Sequence, residues 1–360
     1  MMTEGKLKKF PIAVSLAALA LSGCGDSGSS GGGGGESSGG SRSQIRIVGS
    51  STVYPFSTSV AEQFVRNNSG MKAPIIESTG TGAGIKLFCA GVGTQHPDMV
   101  NASRRIKKSE FEDCRKNGVS QIIELPIGID GLALIEGKNG PSFSLSQADV
   151  YKALAATPFG KPNTARTWKD VNPSLPAAPI QVYGPPPTSG TRDAFAELIM
   201  EKGCESDPAM KALKESDKDK HKEVCTKVRE DGPYIEATEN DNLMVQKVAG
   251  NPGAIGILGY SFLEENAGSV RGIPLGGVMP TSQTISSFQY PGARPLYVYA
   301  KGEHLAAIQG IREFIAEFAK GWAPNGYLMR RGLLPSPADK MGAANQAARD
   351  LKPMDGGDLK

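Results

Sequence analysis

The sequence predicts an α/β protein of two lobes, with sheets flanked by helices, and three observations carry that prediction. Strand-like and helix-like patterns alternate along the chain. At four places a Ser-, Thr- and Gly-rich loop stands between a strand and the helix after it. Once two N-terminal segments are set aside, about 317 of the 360 residues remain, more than one compact core holds.

Residues 1–23 read as a signal peptide. Lys6, Lys8 and Lys9 precede an apolar stretch, residues 10–21, that is too short for a permanent bilayer span. Leu21-Ser22-Gly23-Cys24 then has the spelling of a lipobox, which makes Cys24 the expected lipidation site; the alternative is an ordinary signal peptide with a chance cysteine. Residues 24–43 are almost all Gly and Ser, a flexible tether that would hold the folded part roughly 25 Å from its anchor. The expected location is the periplasm or the cell surface, as a membrane-anchored lipoprotein.

Residues 44–49 alternate as a strand does, and residues 55–66 follow with Val60, Phe64 and Val65 at helical spacing behind Pro55, which suits a first turn. Residues 73–77 are again strand-like, residues 78–84 form a Gly-rich loop, and Ile85, Phe88 and Cys89 begin a helical face. A third unit has a strand at 98–102, a loop at Ser103-Arg104-Arg105, and a helix at 111–117 started by a Ser109/Glu112 capping pattern. Residues 125–135, 180–183, 254–259 and 294–300 are strand-like. Residues 305–319 set Ile308, Ile311, Ile315 and Phe318 on one helix face. Strands alternating with helices imply parallel sheets.

Net charge is +3, falling to about +1 without Lys6, Lys8, Lys9 and Glu4, and no long basic run occurs, so nucleic acid is not an expected partner. Besides Cys24 there are four cysteines, which allow three pairings. Closeness in sequence favours Cys89 with Cys114 and Cys204 with Cys225, in an exported protein that permits disulfides; four buried free thiols are the alternative. His96, His221 and His304 are isolated from one another and from carboxylates at ligand spacing, so neither metal nor cofactor is expected. Residues 215–223, rich in Lys and Asp, read as a solvated helix.

The chemistry lies in the four loops: Ser50-Ser51-Thr52-Val53, Thr79-Gly80-Thr81-Gly82-Ala83-Gly84, Ala102-Ser103-Arg104-Arg105 and Thr188-Ser189-Gly190-Thr191-Arg192. Each would place backbone N–H groups and hydroxyls at the positive end of a helix, where small residues let an anion approach. One such loop alone is an ordinary helix cap. Four at the carboxyl ends of strands form a cradle, to which Arg104 and Arg192 would add forked donors matched to a tetrahedral oxyanion.

These loops resemble those of the phosphate-binding proteins of phosphate ABC transporters, within the type 2 periplasmic binding proteins, and the resemblance spans nearly all of the chain after the tether. Its carriers are Gly49-Ser50-Ser51-Thr52-Val53-Tyr54-Pro55, Gly80-Thr81-Gly82-Ala83-Gly84-Ile85-Lys86, Asn101-Ala102-Ser103-Arg104, Ser189-Gly190-Thr191-Arg192, Asn251-Pro252-Gly253-Ala254-Ile255-Gly256 and Tyr290-Pro291-Gly292-Ala293-Arg294-Pro295-Leu296. The resemblance implies a two-lobe clamp of mixed sheets, hinged by two crossovers, with lobe 1 at 44–129 and 288–360 and lobe 2 at 130–287. It implies that Ser51, Thr52, Val53, Thr81, Ser103, Arg104, Ser189, Gly190, Thr191 and Arg192 ring inorganic phosphate. It further implies a monomer that delivers phosphate to an ABC permease in the inner membrane and catalyses nothing.

Two positions depart from the better-known members of that family. Arg104 stands where they have an Asp that accepts the phosphate proton, and Pro185 stands where they have an Arg four residues before the Ser. Arg104 and Arg192 look like the arginines of a second branch of the family. Glu77, Asp130 and Asp193 are candidate replacements for the missing acceptor, on which discrimination against sulfate would depend.

Other readings are weaker. Residues 80–84 match neither a dinucleotide fingerprint nor a Lys-bearing phosphate loop, and Ser69-Gly70-Met71-Lys72 has the S-x-x-K spelling without its partner motifs. A phosphatase on the same scaffold would need a base near Ser189 or Thr191, and no His lies nearby. The alternative of substance is another tetrahedral oxyanion, sulfate, molybdate or tungstate, in the same cradle.

Overall fold

The computed structural model describes residues 42–187, 189–237 and 241–359, which fall in one compact unit. The signal peptide, Cys24, the tether before Arg42, and Thr188 lie outside the described residues. Among those described, no helix is long and apolar enough to cross a membrane.

The strands are β1 (Arg46–Gly49), β2 (Ile75–Ser78), β3 (Met99–Ala102), β4 (Ile122–Gly137), β5 (Val182–Gly184), β6 (Tyr234–Glu236), β7 (Ile255–Gly259), β8 (Val270–Gly272) and β9 (Ala293–Lys301). Their order is β2-β1-β3-β9-β4-β7-β5-β6, with β8 also on β4. β1 pairs parallel with β2 and β3, and β5 pairs parallel with β6 and β7. β9 is antiparallel to β3 and β4, and β4 is antiparallel to β7 and β8. The sheet is therefore mixed, and the parallel arrangement read from the alternation holds only at its two wings. That alternation reports which strands carry helices between them; it is silent on strands such as β3, β4 and β9 that meet from distant parts of the chain.

Side chains alternate across a strand, so adjacent residues feed different cores. Ile47, Met99, Ile123 and Val298 join one cluster, with Val60, Phe64 and Phe314. Their neighbours Val48, Val100, Ile122 and Tyr299 join a second on the opposite face, with Ile85, Phe88 and Cys114. A third cluster surrounds Leu132, Leu134, Val182 and Ile257 and includes Trp168, Phe195 and Met200. β4 is common to them: it pairs with β9 from Ile122 to Gly131, then with β7 from Leu132 to Glu136.

Three helices follow the first three strands: α1 (Tyr54–Asn67), α2 (Thr81–Phe88) and α3 (Lys108–Lys116). After β5 come α4 (Gly190–Phe195), continued by a π turn into α5 (Glu201–Cys204), then α6 (Pro208–Ser216) and α7 (Lys218–Thr226). α8 (Ile311–Gly321) follows β9.

Three helix starts differ from expectation. α2 begins inside the expected loop, at Thr81, because Gly80 turns the chain with φ of 79°. In α3 the cap is Lys107, whose N–H donates to Glu110 at 2.9 Å, so the box sits two residues before Ser109 and Glu112. α8 begins at Ile311, since Gly310 adopts a left-handed φ of 94° that stops an earlier start. Its expected face is nonetheless the buried one.

Both favoured disulfides are present, Cys89–Cys114 and Cys204–Cys225, with Cα atoms 4.1 and 5.3 Å apart. The free-thiol alternative falls.

Candidate functional site

The four loops occupy the positions expected of them, each between the carboxyl end of a strand and a helix: β1 to α1, β2 to α2, β3 to α3, and β5 to α4. The first two are joined at Gly49, whose carbonyl accepts from Thr79 N and Gly80 N, both at 2.9 Å. A Cβ on Gly84 would lie 2.4 Å from Gly49 Cα, so the start of α2 packs against the end of β1 as only glycine allows.

The second and third loops meet through hydroxyls. Thr81 Oγ1 accepts from Ser103 N at 3.0 Å and lies 2.9 Å from Ser103 Oγ, both residues being buried. Because Thr81 Oγ1 already accepts, its proton can go to Ser103 Oγ and leave the Ser103 proton for a ligand. Buried beside them are two polar atoms with no partner among the described residues, Thr79 Oγ1 and Asn101 Nδ2.

The first and fourth loops touch. Thr52 Oγ1 donates to Gly190 O at 3.1 Å, and Ser51 Oγ donates to Asp193 Oδ2. A Cβ on Gly190 would lie 2.6 Å from Thr52 Cα, so glycine is what lets the two backbones approach. Ser189 caps α4, its Oγ accepting from Thr191 N at 3.2 Å. Val53 is fully buried at the N-cap of α1.

The arginines are held by neighbours. Arg104 donates both Nη atoms to Glu110, at 2.9 and 2.8 Å. Burial opposes its charge, yet the Glu110 pair outweighs it and raises its pKa; Glu110 is correspondingly lowered against its own desolvation. Its Nη2 stands 3.9 Å from where a Cβ on Gly82 would be, over the start of α2. Arg192 donates to Pro185 O at 3.1 Å and lies 4.5 Å from the Tyr234 ring centroid. Tyr234 donates to the same carbonyl at 2.8 Å, and burial, working against Arg192, lifts its pKa to about 12. The guanidinium of Arg192 thus lies against the backbone of Pro185.

Sequence reasoning passed over Arg294 as a site residue, although it belongs to the quoted motif at 290–296. Arg294 is 4% exposed and lies opposite Asp130 in the β4·β9 pair. It donates to Asp130 at 3.2 Å, to Glu197 at 2.8 Å and to Thr52 Oγ1 at 2.5 Å. The signal that points to it is a charge within the quoted motif, at the head of a strand whose next six residues carry none. Desolvation raises the Glu197 pKa, which Arg294 partly offsets and Asp193 reinforces. Of the three candidate acceptors, Asp193 and Asp130 stand in this network, whereas exposed Glu77 lies 4.0 Å from Arg46.

Residues 34–321 match the model of the PBP superfamily domain. The protein SphX of Synechococcus elongatus is 34% identical over 86% of this chain and 83% of its own. The phosphate-binding protein PstS of Staphylococcus saprophyticus is 30% identical over 83% of this chain and 81% of its own. A crystal structure described as a possible phosphate binding protein from Planctomyces limnophilus superposes with a TM-score of 0.69 at 28% identity, covering 85% of this chain and 98% of that one. On the family-model match, the sequence identity and the superposition, the chain belongs to the PBP superfamily, in the family of the phosphate-binding proteins of phosphate transporters.

Proposed function

We propose that this protein is an extracytoplasmic solute-binding protein that captures inorganic phosphate and delivers it to an ABC import permease. The observation that carries the reading is the convergence of four donor-rich loops, with Thr81 and Ser103 hydrogen-bonded at 2.9 Å and Gly190 seated against Thr52. The name of the PstS relative, a phosphate-binding protein, supports phosphate as the ligand.

In this account Ser51, Thr52 and the Val53 amide, with Thr81 and Ser103, bind the anion on one lobe, residues 44–129 and 288–360. Arg104 adds a donor from that same lobe, and Ser189, the Gly190 and Thr191 amides and Arg192 complete the shell when the second lobe, residues 130–287, swings in. The separate core around Leu132, Val182 and Ile257 supports that division. Asp193 and Glu197 replace the acidic residue absent at 104: a carboxylate facing the site accepts from protonated phosphate and repels fully ionised sulfate.

Lipidation of Cys24 would tether the monomer to a membrane, and the closed clamp would dock on the permease, whose ATPase supplies the work of import. The test is calorimetric titration of phosphate-stripped protein with phosphate and then sulfate at two pH values. Tight binding of phosphate with sulfate silent is expected; sulfate or molybdate bound in preference would assign the cradle to another oxyanion.

A further inference from the structure

Away from the four loops, three ligating side chains gather where α5 meets α7. Glu201 opens α5, Glu205 is one turn on at its C-cap, and His221 faces them from α7. Their ligand atoms lie within 4.8 Å of one another, with His221 Nε2 3.9 Å from Glu205 Oε1. The Cys204–Cys225 disulfide ties the two helices together, Cys204 preceding Glu205 and Cys225 lying one turn beyond His221. The sequence shows none of this, since the histidine and the carboxylates are separated by the whole of α6.

His221 is 3% exposed, so it is not the surface residue its charged surroundings suggest. Its Nε2 has no hydrogen-bond partner among the described residues. A buried polar atom left so costs about 1–3 kcal/mol, and this one is turned toward two carboxylates. The cation now between them is Lys214, whose Nζ lies 2.5 Å from both Glu201 Oε1 and Glu205 Oε1.

We propose that Glu201, Glu205 and His221 form a binding site for a divalent transition metal of the zinc class, with Lys214 as a resident cation that swings out when the metal enters. One imidazole and two carboxylates are a zinc donor set, which leaves a fourth position for water. Imidazole selects against Mg²⁺ and Ca²⁺. With Zn–N and Zn–O near 2.0–2.2 Å, tetrahedral ligand atoms stand roughly 3.3–3.5 Å apart, so the 3.9 Å separation closes by a small side-chain rotation. Lys214 is 38% exposed and can move into water. The metal would staple α5 to α7 beside the disulfide, a second cross-link that does not involve the anion cradle.

The test is calorimetric titration with ZnCl₂ alone, in phosphate-free buffer, of the disulfide-intact protein, its Lys214→Met variant and its Glu201→Gln/Glu205→Gln variant. One zinc site in the parent, roughly tenfold tighter in Lys214→Met and at least roughly tenfold weaker in the Gln pair, is expected. The thermal midpoint should rise with zinc in Lys214→Met and stay fixed in the Gln pair. Phosphate binding, unchanged in all three, shows that each is folded. Absence of zinc binding in both parent and Lys214→Met, or binding that the Gln pair retains in full, overturns the proposal.

Discussion

The Arg294 guanidinium donates to Thr52 Oγ1 at 2.5 Å, joining the head of β9 to the loop that opens α1. The same group reaches Glu197 beyond α4 and Asp130 on β4, so one buried cation binds together three segments far apart in sequence. Arg294→Met leaves Asp130 without its cation and Glu197 facing Asp193. Stability should fall by roughly 1–3 kcal/mol and phosphate affinity by roughly tenfold or more. Arg294→Lys should recover part of the stability and little of the affinity, because an ammonium cannot present the fork. Urea unfolding and phosphate titration read the two effects separately.

Gly190 makes a sharper test of closure. A Cβ there would meet Thr52 Cα at 2.6 Å, a backbone contact with no flexible side chain to give way. Gly190 has no positive φ and lies at the start of α4, where alanine is tolerated. Because the lobes of the proposed clamp can part in the absence of ligand and relieve the contact, Gly190→Ala should weaken phosphate binding by roughly tenfold or more while leaving the unfolding midpoint of the ligand-free protein nearly unchanged. Equal affinity in the two proteins would show that Gly190 and Thr52 do not meet in the bound state.

Lys301 predicts a pH dependence. Its side chain is fully buried, donates to Gly91 O at 2.5 Å and stands 5.0 Å from the Phe88 ring centroid. Burial, against the attraction of Asp98, lowers its pKa from 10.5 to about 8. Between those values the unfolded chain binds more protons than the folded one, so stability rises with pH, by roughly 1 kcal/mol per unit. Above about pH 10 the buried tyrosines reverse the trend, since folding raises their pKa values, that of Tyr297 to about 12. Urea midpoints at several pH values between 8 and 10 should climb in the parent and stay level in Lys301→Met; parallel slopes would contradict this assignment.

The Cys204–Cys225 bridge closes a loop of sequence separation 21. Chain-entropy arguments assign such a closure roughly 3 kcal/mol. Replacing both cysteines by alanine should lower the urea midpoint accordingly, with phosphate affinity within roughly twofold of the parent, since the bridge joins α5 to α7 and neither cysteine belongs to a cradle loop.

Much of this architecture is legible in the sequence because local rules suffice for it. Alternation marks β1, recurrence of the strand-loop-helix unit marks β3, and Ser, Thr and Gly mark the loops that follow β1 and β2. The pairing of Thr81 with Ser103 is not legible, since it depends on β2, β1 and β3 lying side by side. Arg294 and Asp130 become partners only through the register of two strands far apart in sequence. The cap of α3 lies two residues early for a similar reason: Glu110 answers both Lys107 N–H and Arg104, a choice that spacing alone leaves undecided.

The most direct test of the central claim is anomalous scattering from crystals grown with arsenate, an isostere of phosphate that marks its own position. One strong arsenic peak within hydrogen-bonding reach of Thr81 or Ser103 on one side and of Ser189 on the other is the result predicted. A peak on another surface, or none at saturating arsenate, would contradict the assignment of the four-loop cradle as the phosphate site.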